Sequence, residues 1–458
     1  LSSSGATRRL RRFTTRLRRY ILRFGLRRGL QRLPGSWRSG RQAKSRYAAY
    51  IAWRQTEDRR SIEARPPLDR PTTRAPRFSI LMPTYETDPG HLKDAVDSVI
   101  AQVLPDWELV IVDDASPSAA TRDAIRRTEQ RDPRIRAHFR NTNGHISAAS
   151  MTALELAQGE FIVLLDHDDA LHPMALYRVA EAIEGSDRID LVYSDEDKFD
   201  ESGQRSSPYF KSELNLGLLL SQNMISHLGV YRRELALAVG GFRTGYEGAQ
   251  DHDLALRVVA RSGPGGVRHI PEVLYHWRLH SGSTASRGDA KPYARRAGRR
   301  AIRDFLSGSG SSARVTAAPE SPDMYRVLWP LPSPTTRIEI FIADSGQANL
   351  AEQVDRCLAQ TLSTPLRITI IDTARRTKAA GGLATDDGRI RRLPVSGGRF
   401  VERLHRAMVD SRADRVVLLA AGVVPLGQGA LAELVASCES GTVGLAGGRV
   451  WSADWRLQ

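Results

Sequence analysis

Residues 160–169 are EFIVLLDHDD, an apolar run that ends in three carboxylates. A short continuous run of Phe, Ile, Val and Leu is typical of a strand buried on both faces of a parallel sheet. Asp166, Asp168 and Asp169 follow this run. Like charges so close raise one another's pKa unless a cation intervenes, so the pattern favours a divalent metal, Mg²⁺ or Mn²⁺, held by oxygen ligands. A solvated acidic loop is the alternative.

Similar apolar runs lie on both sides of this segment and alternate with helix-length stretches such as 92–102 and 146–157. The alternation predicts an α/β fold, with a mostly parallel twisted sheet flanked by helices. Ligands on such sheets bind beyond the carboxyl ends of the strands, where polar side chains gather in this sequence. The other predicted strands are FSILMP (78–83), WELVIVDD (107–114), RIRAHF (134–139) and DLVYSD (190–195).

A weaker copy of the same layout begins at residue 337. RIEIFIA, LRITIID, RIRRLPV and RVVLLAAG follow one another in the order of their counterparts, which indicates a tandem duplication. Residues 420–423 are Ala-Ala-Gly-Val where the first copy has its acids, so we expect the second copy to be degenerate and inactive. Because Gln458 falls where the matching strand has only just ended, we also expect this copy to be truncated.

Changes in composition predict four segments. Residues 1–77 form a basic arm and linker, 78–306 the main domain, 307–336 a linker that begins with SGSGSS, and 337–458 the second domain. The arm holds 22 Lys and Arg against 4 Asp and Glu, a net charge of +18, whereas the whole chain carries +15. The body is therefore slightly acidic, which argues against nucleic-acid binding as the function of the folded domains.

Within the arm, apolar residues recur at spacings of three and four between arginines over 8–30. This spacing predicts a basic helix with one apolar stripe, which suits an anionic membrane surface. A solvated arm and a helix packed on the main domain are the alternatives. The stripe consists of Leu10, Phe13, Leu17, Ile21 and Phe24.

Two further absences bear on localisation. The two cysteines, Cys357 and Cys438, show no CxxC spacing, which fits a reducing cytosol. The sequence has neither a run of about 18 apolar residues nor a signal-peptide core. We expect a cytoplasmic protein, either free or peripheral on the inner face of the plasma membrane.

Seven motifs, taken in order, resemble the family 2 glycosyltransferases, in the bacterial branch that works on O-antigen and other surface polysaccharides. They are SILMPTYE, LVIVDDAS, NGHISAAS, LLDHDD, VYSDEDK, GGFRTGYEGAQDHDLALR and YHWRLHSGST. The resemblance covers residues 78–305 and implies a GT-A fold, the fold of nucleotide-diphospho-sugar transferases. Residues 337–458 would then be a second, partial GT-A-like domain.

The resemblance places the nucleotide-sugar site at the strand ends. Asp113 would bond the base, Asp166 would contact the ribose, and Asp168 would hold a metal that bridges the diphosphate. The helix that opens at Asn143 would offer free N–H groups to the ligand, although an ordinary helix start is the alternative. This helix lacks the arginine that the family often has there. The implied donor-binding residues are Pro83, Thr84, Tyr85, Glu86, Asp113, Asp114, Gly144, Ser147, Asp166 and His167.

The resemblance also assigns a catalytic base and a second metal ligand. Asp251 matches the carboxylate that takes the proton of the acceptor hydroxyl, and Asp253 is the competing candidate, although its position suits a first-turn helix acid. His280 matches a histidine that closes over the diphosphate and ligates the metal, and an imidazole ligand favours Mn²⁺ over Mg²⁺. Residues implied at the acceptor or around these groups are Asp195, Gly241, Gln250, His276, Trp277 and Arg278.

The implied function is an inverting, metal-dependent glycosyltransferase. It would move a hexosyl or deoxyhexosyl group from a UDP- or dTDP-sugar to a glycan or a lipid-linked oligosaccharide in surface polysaccharide synthesis. A catalytically inactive scaffold or binding protein at the membrane is the main alternative. A magnesium-dependent phosphotransfer domain also places acids at strand ends, but it does not explain Asp251 or His280. Tight turns explain Gly241 equally well, and a solvated turn explains Asp195.

Overall fold

The structure is a computed structural model, and it describes residues 77–184, 188–279, 292–318, 321–345, 349–360, 364–373, 387–393 and 399–438, with a few isolated positions besides. The predicted basic helix over 8–30 and the predicted metal ligand His280 lie outside these residues. Two compact units divide the chain: Leu1–Leu219 with Asn223–Ala301, and Leu220–Gln222 with Ile302–Gln458. Among the helices in the described part of the chain, none is long and apolar enough to cross a membrane.

The first unit contains a large sheet with helices on its faces. Its strands are β1 (Phe78–Thr84), β2 (Trp107–Asp113), β3 (Ile135–Phe139), β4 (Phe161–Leu164), β5 (Ala170–Leu171), β6 (Leu191–Asp200), β7 (Arg205–Tyr209), β8 (Gly229–Arg232) and β9 (Val267–Leu279). Its helices are α1 (Pro89–Ile100), α2 (Ala119–Glu129), α3 (His145–Leu156), α4 (Ala175–Ile183), α5 (Leu216–Leu219), α6 (Arg233–Ala238) and α7 (Gln250–Ser262). Helix α8 (Pro292–Gly308) crosses the boundary between the units.

The strand order of this sheet is β3-β2-β1-β4-β8-β6-β9-β5, with β7 paired to β6. Strands β1 to β4 run parallel, β8 is antiparallel to both β4 and β6, and β6 is parallel to β9. Residues Phe78 and Thr84 of β1 pair with Trp107 and Asp113 of β2, so both strands end at the same level. The carboxyl ends of β1 and β2 therefore lie side by side, and β4 runs parallel to β1 on its other side, with Leu164 opposite Leu81.

Apolar periodicity explains how the helices attach. The buried residues of α1 recur at intervals of three and four, which gives this helix one apolar face toward the sheet. Asp88 caps the helix by accepting hydrogen bonds from the backbone N–H groups of Gly90 (2.8 Å) and His91 (3.1 Å). All seven residues of β2 are buried, as expected for a central strand covered on both faces. The buried face of α1 consists of Leu92, Ala95, Val96 and Val99.

The predicted α/β fold is confirmed, and each apolar run predicted as a strand of the first copy forms one. The parallel half of the sheet is β1 to β4, while the half beyond β4 is mixed. The alternative of a solvated turn at Asp195 is wrong, because β6 continues through this residue to Asp200. Charged residues in a strand look like a turn in sequence, but here Asp195, Glu196 and Asp197 are all buried beside polar or cationic partners.

The second unit contains a smaller sheet and an antiparallel pair of strands. Its strands are β10 (Arg314–Ala318), β11 (Ser321–Leu328), β12 (Ile338–Asp344), β13 (Leu366–Asp372), β14 (Ile390–Leu393) and β15 (Arg415–Leu419). Its helices are α9 (Leu350–Leu358), α10 (Phe400–Val409) and α11 (Ala430–Ser437). Strands β10 and β11 pair with each other inside 307–336, so the segment predicted as a linker forms regular structure.

The second sheet repeats the parallel half of the first. Its order is β14-β13-β12-β15, all parallel, which corresponds to β3-β2-β1-β4. The glutamines after the first helix of each sheet bond alike. Gln102 donates to the carbonyls of Ser98 and His172 and accepts from the Leu176 N–H, and Gln360 has three equivalent partners in its own unit. This correspondence supports the predicted duplication.

Replacing Gln102 tests whether this side chain fastens the start of α4. Gln102→Leu removes the acceptor, 3.1 Å away, of the buried Leu176 N–H, so we expect the free energy of unfolding of the first unit to fall by about 2 kcal/mol. Amides over 172–183 should exchange faster in hydrogen–deuterium exchange mass spectrometry. Gln130→Leu, at the exposed end of α2, is the matched control. Equal exchange in both variants would contradict the assignment.

Candidate functional site

The first predicted site residues lie where β1 and β2 end. Thr84 is buried, and its hydroxyl donates to the carbonyl of Val112 (3.2 Å). Asp113 is completely buried, and its carboxylate accepts hydrogen bonds from the N–H (3.0 Å) and the hydroxyl (2.5 Å) of Ser116. The carboxylate therefore orders the turn after β2. Its contact with a nucleotide base stays a prediction.

Asp114 joins this turn to the start of α3. Its carboxylate accepts the Gly144 N–H at both oxygens (3.0 and 3.1 Å) and lies 2.9 Å from the guanidinium of Arg140. A side chain at position 144 would approach Cβ of Ala148 to 2.7 Å, which explains the glycine. Arg140 also donates to the Thr152 hydroxyl (2.5 Å), so a basic group from the end of β3 lies under this helix. Arg140 was not predicted from the sequence, because the resemblance implies an arginine within the helix.

The remaining residues of this edge differ in exposure. Tyr85 is 48% exposed, so its ring is accessible to a ligand, and Pro83 is half-buried. Glu86 is exposed and accepts a hydrogen bond from the backbone N–H of Ser118 (2.9 Å). Ser147, in the first turn of α3, is buried, and its hydroxyl has no hydrogen-bond partner among the described residues. Both Tyr85 and Ser147 thus remain candidates for contact with a donor.

Three side chains converge after β4: Asp166, Asp169 and His227. Each offers one ligand atom, and these atoms all lie within 4.8 Å of one another. His227 Nε2 lies 3.8 Å from Asp166 Oδ2. Asp169 accepts hydrogen bonds from the Tyr275 hydroxyl (2.7 Å) and the Arg278 N–H (2.8 Å), and the His227 ring stacks on the Tyr275 ring at a centroid distance of 4.5 Å. The cluster is therefore held by β9.

The electrostatics of this cluster suit a cation. Desolvation raises the pKa of Asp169 well above its ordinary value, and the carboxylates of Asp166 and Asp168 raise it further. Desolvation also raises the pKa of Asp166, although 43% of its side-chain surface is exposed, and His227 opposes that shift. His227 Nδ1 is buried without a hydrogen-bond partner in the described part of the chain. Two carboxylate oxygens and an imidazole nitrogen fit Mn²⁺ better than Mg²⁺.

The structure does not bring Asp168 into this group of three. Its carboxylate lies 3.9 Å from Nδ1 of His167. Arg278, implied to lie at the acceptor or around the catalytic groups, holds the acidic turn, because its Nε donates to the Asp168 carbonyl (2.7 Å) and its Nη2 to Asp94 (3.0 Å). The role of Asp168 as a metal ligand stays a prediction, as does that of His280.

His227 is a second site residue that was not predicted from the sequence. It lies just before β8, and β8 runs antiparallel to β4, with Arg232 opposite Phe161 and Val230 opposite Val163. The beginning of an antiparallel strand lies beside the end of its neighbour, which is why His227 meets the turn that follows β4. The segment NMISHLGVYR carries a signal, a histidine before an apolar run. That signal becomes useful only when the direction of β8 is known.

The two candidate bases have different surroundings. Asp251, in the first turn of α7, is half-buried, and its Oδ2 accepts a hydrogen bond from Asn223 Nδ2 (2.6 Å). Asp253 is 1% exposed, and the guanidinium groups of Arg243 and Arg257 bind both its oxygens. Both oxygens of Asp253 are therefore already engaged, whereas Asn223 binds only one oxygen of Asp251. The structure therefore favours Asp251 over Asp253.

The other residues expected near the acceptor mostly have structural partners. Asp195 is not in a solvated turn: it is buried and bonds the Lys211 N–H and His269 Nε2, both at 2.8 Å. Gly241 has φ +58° and packs on Met151, as a tight turn requires. Further contacts are Gln250 to the Gly248 N–H (2.8 Å), His276 Nδ1 to Asp197 (2.7 Å), and the Trp277 ring to the His227 ring (centroids 5.2 Å apart).

Comparison with known proteins places a family on the same stretch. The family model described as Glycosyl transferase family 2 matches residues 79–240, which carry β1 to β8 and the acidic turn. Among curated proteins, the chain is 37% identical over 390 residues to the uncharacterized protein y4gI of Sinorhizobium fredii, which covers 84% of this chain and 43% of that protein. It is 35% identical over 315 residues to the O-antigen biosynthesis protein RfbC of Myxococcus xanthus, which covers 69% of this chain and 24% of that protein. The chain thus spans less than half the length of either relative.

Solved structures give a weaker likeness. The structure of S. aureus TarS 1-349 in complex with UDP-GlcNAc matches with a TM-score of 0.42 and 20% identity, over 50% of this chain and 66% of that chain. A mannosyltransferase, PcManGT from Pyrobaculum calidifontis, in complex with GDP-Man and Mn²⁺ matches with a TM-score of 0.37 and 19% identity, over 58% of this chain and 86% of that chain.

The raised carboxyl pKa values predict that cation binding releases protons. Because the pKa of both Asp166 and Asp169 is raised, a metal ion must compete with protons, and we expect Mn²⁺ affinity to increase as the pH rises from about 5.5 to about 7.5. Calorimetric titration in two buffers of different ionisation enthalpy measures the released protons. Asp123→Asn, an exposed acid on α2, should behave like the unchanged protein. Affinity that is independent of pH would contradict the assignment.

Proposed function

Residues 79–240 belong to glycosyl transferase family 2, and from this premise we propose that the first unit is an inverting glycosyltransferase. It moves a sugar from a nucleoside-diphosphate sugar to an acceptor hydroxyl. One observation carries the proposal: ligand atoms of Asp166, Asp169 and His227 lie within 4.8 Å of one another after β4, and Asp251 is hydrogen-bonded to Asn223, four residues before His227. A cation cluster and a carboxylate base connected by one short segment suit a reaction in which acceptor and leaving diphosphate flank one sugar carbon.

In the proposed reaction, Asp251 takes the proton of the acceptor hydroxyl. The acceptor oxygen forms a bond to the anomeric carbon while the bond from that carbon to the diphosphate oxygen breaks, and the electron pair leaves with the nucleoside diphosphate. Asn223 holds Oδ2 of the base, and Oδ1 has no hydrogen-bond partner within the described ranges. Oδ1 is therefore the atom that receives the proton.

The cluster beside the base is the proposed cation site. Asp166, Asp169 and His227 would hold Mn²⁺ or Mg²⁺, which would stabilise the charge on the leaving diphosphate as a Lewis acid. Tyr275 and Arg278 keep the turn in place through their hydrogen bonds to Asp169. Asp168 and His280 are proposed as further ligands on the family resemblance.

The donor and acceptor are proposed by class. Family resemblance favours a UDP- or dTDP-sugar that carries a hexosyl or deoxyhexosyl group. The relative from Myxococcus xanthus is named an O-antigen biosynthesis protein, which supports a glycan or a lipid-linked oligosaccharide of the cell surface as acceptor. A basic arm over 8–30 would keep the enzyme at an anionic membrane, on its cytoplasmic side.

The second unit is proposed as a degenerate copy. At the ends of β12 and β13, the guanidinium of Arg392 bridges Asp344 and Asp372, with its Nη2 2.6 Å from Asp372. The turn after β15 has no acid at residues 420–423. Charges at this edge therefore neutralise one another instead of recruiting a cation. An inactive scaffold stays the alternative for the whole chain, and measured transfer by the first unit would decide against it.

Loss of the base should abolish turnover without unfolding the chain. Asp251→Asn removes the proton acceptor while preserving a partner for Asn223, so we expect the rate of transfer to fall by about a thousandfold. The assay measures nucleoside-diphosphate release from a panel of UDP-, dTDP- and GDP-sugars, with and without Mn²⁺, in the presence of candidate acceptors. Asp168→Ala should lose metal-dependent release as well.

The control is Asp123→Asn, on the exposed face of α2. Wild-type activity in Asp251→Asn, with this control unchanged, would refute the assigned base. If the unchanged protein neither releases product nor binds any nucleoside diphosphate in calorimetry, the scaffold alternative holds.

The two candidate histidine ligands can be separated by metal binding alone. We expect His227→Ala to weaken Mn²⁺ binding at least about tenfold, because its Nε2 lies beside Asp166 in the cluster. Electron paramagnetic resonance of free Mn²⁺ measures the affinity without turnover. His280→Ala tests the family assignment in the same way, and an affinity unchanged only in His227→Ala would assign the ligand to His280.

A further inference from the structure

Lys211 is a buried cation that the proposed chemistry does not use. It follows β7, and its side chain is 0% exposed. Its ammonium donates to the Glu196 carboxylate (2.9 Å), the Ile225 carbonyl (2.7 Å) and the His227 carbonyl. An ammonium group has three N–H donors, so every donor of this ion is satisfied. Burial lowers the pKa of Lys211, while the charge of Glu196 opposes that shift.

Glu196 contacts the same stretch of backbone as Lys211. Its Oε2 accepts the N–H of His227 (3.2 Å), so the pair holds His227 on both sides, the N–H through Glu196 and the carbonyl through Lys211. The position of Lys211 is itself fixed, because its backbone N–H donates to the buried carboxylate of Asp195 (2.8 Å). A single ion pair thus anchors residues 223–227 near their carboxyl end.

The two ends of residues 223–227 contact the two parts of the proposed active site, the cation cluster and the base. At one end, His227 lies in the cluster with Asp166. At the other, Asn223 donates from Nδ2 to Asp251 (2.6 Å) and accepts the Ser226 N–H at Oδ1 (3.0 Å). The bond to Ser226 fixes which end of the amide points at Asp251. Five residues therefore connect the partner of the base with a member of the cation cluster.

We propose that the Lys211–Glu196 ion pair is a positioning device for residues 223–227, which contribute both to the cation cluster and to the orientation of Asp251. It places His227 against Asp166, and it holds the segment from which Asn223 orients Asp251. Lys211 and Glu196 reach no substrate in this scheme and act through backbone groups alone. The inference rests on the proposed function, and it predicts that one change away from the reacting groups weakens cation binding and catalysis together.

A buried ion pair is by itself weak evidence for a role in stability, because apolar residues of similar volume often replace such pairs without loss. Here the contacts are specific: two of the three bonds from the ammonium go to carbonyls of one short segment. An apolar pair could fill the same volume but could not hold those carbonyls. Stability and positioning can therefore be separated by experiment.

The test compares three variants of the full chain. Lys211→Met leaves Glu196 unpaired, while the double variant K211M/E196M removes both charges and so avoids an isolated buried ion. Arg232→Met is the matched control, because Arg232 also binds three acceptors, at the opposite end of β8 from His227. Circular dichroism and thermal unfolding establish that each variant is folded.

Mn²⁺ affinity is measured by electron paramagnetic resonance, and kcat by nucleoside-diphosphate release at saturating Mn²⁺. We expect the folded K211M/E196M variant to bind Mn²⁺ at least about tenfold more weakly and to lose at least about tenfold in kcat. Lys211→Met should show the same two losses together with lower thermal stability. Arg232→Met should lose thermal stability alone.

Each contrary result has a distinct meaning. Wild-type affinity and kcat in folded K211M/E196M would overturn the positioning role. Weaker Mn²⁺ binding with an unchanged kcat would overturn the link to Asp251. Equal losses in Arg232→Met would show that general destabilisation explains the effect. A wild-type chain that neither binds Mn²⁺ nor releases product would overturn the proposed function itself, and the positioning role with it.

Discussion

Repulsion between carboxylates at one edge of a parallel sheet is the constraint on which the first unit depends. The register of β1, β2 and β4 directs their carboxyl ends to one edge, and an acid follows each strand: Glu86, Asp114 and Asp166. Other acids of this unit have cationic partners, as Asp114 has Arg140 and Asp253 has two arginines. The hydrogen bonds to Asp169 come from a phenol and a backbone N–H, both neutral, so its charge remains to be balanced. The proposed cation site therefore lies where the fold leaves a negative charge without a cationic partner.

Apolar runs made the parallel half of the sheet predictable, since each buried strand of this half is a continuous apolar segment. The acids that follow β4 were predictable for the same reason. Residues 193–198 were not, because a strand with four charged residues becomes favourable only when its partners are known. His227 was not predicted because its position depends on the antiparallel pairing of β8 with β4. This pairing brings together residues that lie more than sixty positions apart in the sequence.

The burial of Lys211 also could not be predicted from the sequence. Its sequence surroundings, PYFKSELN, are typical of a solvated loop, in which a lysine is unremarkable. Complete burial of its side chain follows only from the three acceptors that Glu196 and residues 223–227 supply. Choosing Asp251 over Asp253 likewise required the two arginines, Arg243 in the loop before α7 and Arg257 within α7.

The second unit separates what the fold needs from what the chemistry needs. Strand order, strand register and the glutamine at the end of the first helix are common to both units, so these features specify the sheet and its helices. The charged residues at the strand ends differ. In the second unit, Arg392 bridges Asp344 and Asp372 at the ends of β12 and β13, and residues 420–423 carry no acid. Since the same scaffold persists without the acids, Asp166 to Asp169 are not required to form it. Their retention in the first unit, at a cost in electrostatic repulsion, therefore argues for a ligand that offsets that repulsion.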